Sequence, residues 1–157
     1  KLIDEVKQIL DLIAEGDIIL AGGHLSTAEI FAVFEEAKAR GVKKMLVNHP
    51  TYKVNSINDA EIRGLAALGA VMEHSICMFV EGGSKKFEPA ELKRVIDVVG
   101  PDKTVLSSDL GLKNAPRPVD GYREIVGHLL DLQFTDAEIK AMTGDNAAAL
   151  LNLETKH

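Results

Sequence analysis

The chain has 157 residues, 46% of them apolar and 27% charged, which suffices for one domain with its own core. Its formal charge of −6 argues against a surface built to neutralise nucleic-acid phosphates, and no apolar run approaches the roughly 20 residues of a membrane-spanning helix. One cysteine, Cys77, excludes an internal disulfide and points to a reducing cytoplasm; within Ser75-Ile76-Cys77-Met78-Phe79-Val80 it reads as a buried strand residue.

Lys1 opens directly into a helix-like segment, so the sequence is expected to be a processed or excised part of something longer. Leu2, Ile3, Val6, Ile9, Leu10 and Ile13 recur at helical spacing before Gly16, expected to end the helix in the left-handed conformation. A strand follows in the run 17–24, and Ser26 with Glu29 forms a capping box for a helix reaching Arg40, closed by Gly41. The second strand is 43–48, stopped by Pro50, which has no amide hydrogen to donate to a ladder.

A loop reaches Ser56, which can cap a helix through about Leu68, and Gly69 leads into a third strand from Ala70 to Glu73 or slightly beyond. The stretch 82–86, rich in glycine and lysine, reads as a mobile excursion before a helix that begins at Glu88-Pro89 and runs to Val99, ended by Gly100-Pro101. The fourth strand is Thr104 to Ser107 or Ser108. Residues 109–118, with two prolines, form a shaped loop over a site. Helices are expected over 122–132, from a second capping box at Thr135 and Glu138, and over 145–151.

Four strand-helix units in succession imply a single parallel, right-handed α/β domain over residues 1–157. Four units do not close an eight-stranded TIM barrel, which needs about 250 residues. The fold is therefore an open four-stranded sheet or half of such a barrel.

His24, His49, Glu73 and Asp109 each stand at or beside the C-terminal end of one of these strands. In parallel α/β sheets and barrels that end carries the ligand site. Two imidazoles and a carboxylate make a metal-site hypothesis, because both groups suit zinc and related divalent ions. Each also has a plainer reading: His24 can bond backbone at a helix start, His49 can shape a turn before Pro50, and Asp109 can cap a turn. Glu73 is a substrate-binding candidate or an ion-pair partner for Lys53, Lys85 or Arg117. His74 points to the other side of its strand and is expected to be a satisfied structural histidine. His128 and His157 are expected to be solvated. Arg117, between two prolines, could clamp an anionic substrate group.

Taken in order, Gly23-His24-Leu25-Ser26, Asn48-His49-Pro50, Glu73-His74 and Ser107-Ser108-Asp109-Leu110-Gly111, with the closing Asn146-Ala147-Ala148-Ala149-Leu150-Leu151-Asn152-Leu153, resemble the C-terminal half of the amidohydrolase-like metal-dependent hydrolases. That resemblance implies histidine ligands after the fifth and sixth barrel strands, here His24 and His49. It implies an aspartate after the eighth, Asp109, that touches the metal and accepts a proton from the activated water. The metal would be zinc, with manganese, nickel or iron as alternatives. The His-x-His pair of the first strand and the lysine or glutamate of the fourth, found in other members, have no counterpart here.

The leading expectation is hydrolysis of an amide, ester or related bond in a small molecule. A second is a catalytically incomplete half-barrel that binds ligand or assembles, pairing its open strand edges with another copy or a missing N-terminal half. A phosphodiesterase or nuclease of the same superfamily is a third, weakened by the acidic charge.

Overall fold

The computed structural model describes residues 2–52, 57–84 and 86–153. Those within 1–72 and 148–153 form one compact unit, and those within 73–147 form a second. Among the described residues no helix is long and apolar enough to cross a membrane. Strands β1 (Leu20–Ala21), β2 (Met45–Asn48), β3 (Ala70–Ser75) and β4 (Thr104–Ser107) make one parallel sheet in that order, with helices between them. The architecture is thus the α/β arrangement expected from four strand-helix units.

In the first unit, α1 (Asp4–Glu15) precedes β1, α2 (Thr27–Ala39) joins β1 to β2, and α3 (Asp59–Leu68) leads to β3. Gly16 ends α1 in a right-handed conformation, and the left-handed turn falls on Asp17 at φ 47°. The aspartate tolerates it because its carboxylate and carbonyl both accept from the Lys44 ammonium at 2.8 Å. β1 is therefore shorter than its apolar run, pairing only Leu20 with Met45 and Ala21 with Leu46.

The Ser26 amide and hydroxyl donate to the Glu29 carboxylate at 2.9 and 2.6 Å, the expected reciprocal cap. For α3 the Ser56 cap lies outside the described residues, and Asn58 caps the helix, accepting from the Ala60 and Glu61 amides at 3.0 Å each. Gly69 then turns the chain at φ 109°, a conformation that favours glycine. Ile30, Phe34, Met45, Val47, Ile62 and Leu65 form the core of this unit. The rings of α2 approach α3 where Gly64 leaves room, since a Cβ there would stand 3.0 Å from Phe31 Cζ.

In the second unit α4 (Pro89–Val99), α5 (Pro118–Asp131) and α6 (Asp136–Lys140) accompany β4, and a π turn (Ala141–Asp145) follows; α7 (Asn146–Leu150) begins at the end of this unit, and its residues 148–150 belong to the first. Helix α5 starts about one turn earlier than the expected 122. Pro118 occupies its first turn, where the missing amide hydrogen costs nothing. Cys77 is buried but does not lie in a strand: Ile76–Met78 form a single 3₁₀ turn closing β3. The second capping box holds, with the Thr135 amide and hydroxyl both donating to Glu138 at 2.8 Å. Phe79, Leu92, Ile96, Ile125 and Leu129 fill this core.

Candidate functional site

The first unit assembles an aromatic cluster at the ends of β1 and β2. The Gly22 amide donates to the Leu46 carbonyl at 2.8 Å, the last ladder bond before the chain turns through Gly23 at φ 55° to His24. The Asn48 side-chain oxygen accepts the Gly23 amide at 3.0 Å, tying the backbone just before His24 to the end of β2. His49 follows at φ 30°, a left-handed backbone that few side chains other than glycine, asparagine, aspartate and histidine adopt. Pro50 is buried and the Tyr52 amide donates back to the His49 carbonyl at 2.8 Å, closing a turn with proline at its second position.

These constraints bring His24 and His49 together. Their rings stack with centroids 4.8 Å apart and planes 21° from parallel. Tyr52 joins them, its ring 5.2 Å from His49 edge-on and 5.8 Å from His24. His24 is exposed, whereas His49 and Tyr52 are half-buried. Asn48 and Tyr52 carry no role in the sequence reading. The His49-Pro50 turn was visible there, and a turn returns its fourth residue to its first, so Tyr52 could have been found from it.

The second unit builds a carboxylate cluster. Glu73, 4% exposed, accepts hydrogen bonds from the Ser75 hydroxyl at 2.9 Å and from the Ser107 hydroxyl. Of the cations considered for it, Lys53 and Lys85 lie outside the described residues. Arg117 is engaged elsewhere, donating to Asp120 at 2.7 and 3.2 Å from the exposed start of α5. Asp109 follows β4 at φ 48° and is exposed, so both strand-end residues expected to meet a metal through non-glycine turns, His49 and Asp109, have left-handed backbones. Backbone of this kind persists where surrounding structure holds it, often at functional sites.

The Cys77 thiol donates to Asp109 Oδ2 at 3.5 Å. Burial first, then the Asp109 charge, push that thiol up to about 11, so it stays protonated and acts as a donor rather than a nucleophile. A cavity of about 210 Å³ opens over this pair, walled by Gly82, Gly83 and Ser84 on one side and by Leu110, Leu112 and Lys113 on the other. Lys113, rather than Arg117, is the cation lining it. Burial and the nearby Glu73 charge also raise the Tyr122 phenol, whose hydroxyl donates to the Leu106 carbonyl at 2.7 Å.

His74 departs from expectation. It is fully buried, yet among the described residues neither ring nitrogen has a hydrogen-bond partner, so it is not a satisfied structural histidine. Burial depresses its pKa to about 4 and keeps it neutral. His128 is partly exposed and stands 3.6 Å from Glu124, and His157 lies outside the described residues.

Two adjacent imidazoles fit two ligand positions of a divalent ion. Among the described residues no three His, Cys, Asp or Glu side chains cluster as a ready-made ligand set, so the histidine pair is a partial set.

Residues 1–73 match a family described as of unknown function (DUF6282). No curated protein sequence matches the chain. Its fold is similar to that of an amidohydrolase from Burkholderia multivorans solved with bound zinc, at 16% identity and a TM-score of 0.68, covering 94% of this chain and 57% of that one. A second crystal form of that amidohydrolase, with bound HEPES, aligns at 16% identity and a TM-score of 0.67 over the same shares. The chain thus spans little more than half the length of these solved structures, and its fold is similar to that part of theirs.

Proposed function

We propose that this chain is the metal-binding part of an amidohydrolase-like hydrolase acting on an amide, ester or related bond of a small molecule. The stacked His24–His49 pair carries the reading, because it sets two imidazoles side by side at consecutive strand ends of a fold shared with a zinc-bound amidohydrolase. On this reading His24 and His49 would hold a divalent ion, zinc first and manganese, nickel or iron as alternatives, and Asp109 would supply the third protein ligand.

When bound, such an ion lowers the pKa of a water toward about 7 and polarises the bond to be cleaved. Asp109 would serve as the proton acceptor for a water activated there, and the Cys77 thiol, donating to Oδ2, restrains the orientation of its carboxylate. The cavity beside Asp109 receives the substrate, where buried Leu110 supplies an apolar wall and Lys113 meets an anionic group. Glu73, held by Ser75 and Ser107, contributes a buried negative charge behind Cys77. Arg117 acts on substrate only if it leaves Asp120.

The test is a panel of small lactones, esters and amides with the zinc-supplemented protein. Turnover that falls by roughly 10²-fold or more in Asp109→Asn supports the reading, and turnover indifferent to that change removes it.

The linear strand order, with β1 and β4 at the two ends of the sheet, supports a second reading. In it the chain assembles with another copy or with an N-terminal half, which covers those edges. A mass in solution of one chain, unchanged with concentration, counts against self-assembly.

A further inference from the structure

We infer that the cavity beside Asp109 takes a small ligand bearing a carboxylate, and that Lys113 is the residue that selects it. The inference rests on the hydrolase reading above only in making this ligand the substrate. All the walls of the cavity belong to the second unit. One loop brings a carboxylate, Asp109, and an ammonium, Lys113, to the same space. Among the described residues neither takes part in an ion pair, so the two opposite charges line the cavity without neutralising each other.

The backbone explains why they stay apart. Asp109 leaves β4 at φ 48°, and its Oδ2 accepts from the Cys77 thiol at 3.5 Å, which draws the carboxylate toward the 3₁₀ turn after β3. Lys113 is the second residue of a turn that the Ala115 amide closes by donating to the Leu112 carbonyl at 3.1 Å. Asn114, the third residue, has φ 70°, as a type II turn requires and as asparagine tolerates. The turn thereby holds the Lys113 backbone at the rim, with its side chain exposed.

The facing wall is bare backbone. A Cβ on Gly83 would stand 2.5 Å from the Cys77 carbonyl oxygen, and Gly82 has φ 71° with Pro116 against it, so side chains are kept out of the space. Its volume of about 210 Å³ lies below the roughly 300 Å³ at which pockets for drug-sized molecules begin, so the ligand is small. Buried Leu110 meets its apolar stem. A carboxylate gains a charge-assisted bond at Lys113 and is repelled at Asp109, which orients such a ligand with its uncharged end toward Asp109.

The experiment follows the backbone amide signals of the full, chelator-washed chain by NMR while butyrate, neutral butyramide or butylammonium is added. Butyrate should shift the Gly83 and Lys113 amides to saturation, and butyramide should bind roughly 10-fold more weakly for want of the charge-assisted bond. Lys113→Met should weaken butyrate by roughly the same factor, whereas Lys103→Met, which removes an equal charge outside the cavity, should leave it within about twofold.

Butyramide or butylammonium binding as tightly as butyrate, butyrate affinity unchanged in Lys113→Met, or no saturable shift at the cavity amides would each overturn the inference. Butyrate binding as expected in a chain that hydrolyses nothing keeps the carboxylate site and removes the hydrolase reading alone. Turnover without butyrate binding does the reverse.

Discussion

The side-chain oxygen of Asn48 accepts the amide of Gly23 at 3.0 Å, so a residue just before His49 holds the backbone just before His24. One side chain thereby sets the register of two strand-end histidines. Asn48→Ala removes this bond at a cost of about 1 kcal/mol, and with it the restraint on where His24 begins its turn. Urea unfolding should show that loss, and Zn²⁺ competition should show affinity reduced by roughly 10-fold, as for other groups that orient ligands. Unchanged affinity alongside the stability loss would separate Asn48 from the metal site.

His74 makes stability sensitive to acid. Its folded pKa is depressed to about 4 from an ordinary 6.5, so between those values the unfolded chain takes up a proton that the folded chain refuses. Stability from this residue is present in full above pH 6.5 and is lost as pH falls toward 4, by roughly 3 kcal/mol in all. Carboxylates such as Asp17 and Glu138, held below their usual range by hydrogen bonds from Lys44 and Thr135, add a slope of the same sign at lower pH. The informative quantity is therefore the difference between parent and His74→Phe in denaturation from pH 7 to pH 4. The variant should lose less stability over that range, and parallel curves would contradict the account.

Gly121 sets the position of the loop that carries Asp109. A Cβ there would overlap the Leu110 side chain and would approach Ile76 Cδ1 to 3.6 Å. Leu110 is the immediate neighbour of Asp109 and is 3% exposed, so it has little room to yield. Gly121→Ala should destabilise the protein by about 1–3 kcal/mol through overpacking and should disturb the cavity beside Asp109. Thermal unfolding checks the first effect, and a parent-like melting curve would contradict it.

Asn146 anchors the chain behind β4. Its amide donates to the Pro101 carbonyl at 2.8 Å and to the Thr104 carbonyl at 2.6 Å, so one side chain ties the end of the π turn to the entry of that strand. Asn146→Ala should cost about 2 kcal/mol for the two bonds, read as a lowered urea midpoint. Asn146→Asp keeps an oxygen but loses the donor, and should not restore stability.

Much of this was legible in the residues. The capping boxes at Ser26 and Thr135 fold as read, because an oxygen and a carboxylate three residues apart satisfy each other's neighbouring amides through local geometry alone. Asn146 drew notice as part of a terminal pattern, and its two carbonyl partners give that pattern a physical cause. The start of α5 was read too late because Pro118 looked like loop rather than a first helical residue. Cys77 was read as strand because its neighbours are uniformly apolar; an apolar run cannot distinguish a strand from a buried 3₁₀ turn.

The strand-end histidines could be named from their order along the chain, whereas their stacking and the third ring could not. Ring contacts depend on the His49 turn and on the Asn48 bond, which join residues three to 25 apart. The unpartnered nitrogens of His74 are equally invisible in sequence, since a histidine beside a buried glutamate suggests satisfaction rather than isolation.

The most direct measurement is elemental analysis of the purified, tag-free chain beside its His24→Ala, His49→Ala and Asp109→Asn variants, with each variant shown to be folded. Close to one divalent ion per parent chain is expected, with markedly less in all three variants. A folded parent that holds no metal after zinc supplementation, or variants that retain it fully, would contradict the assignment of His24, His49 and Asp109 as its ligands.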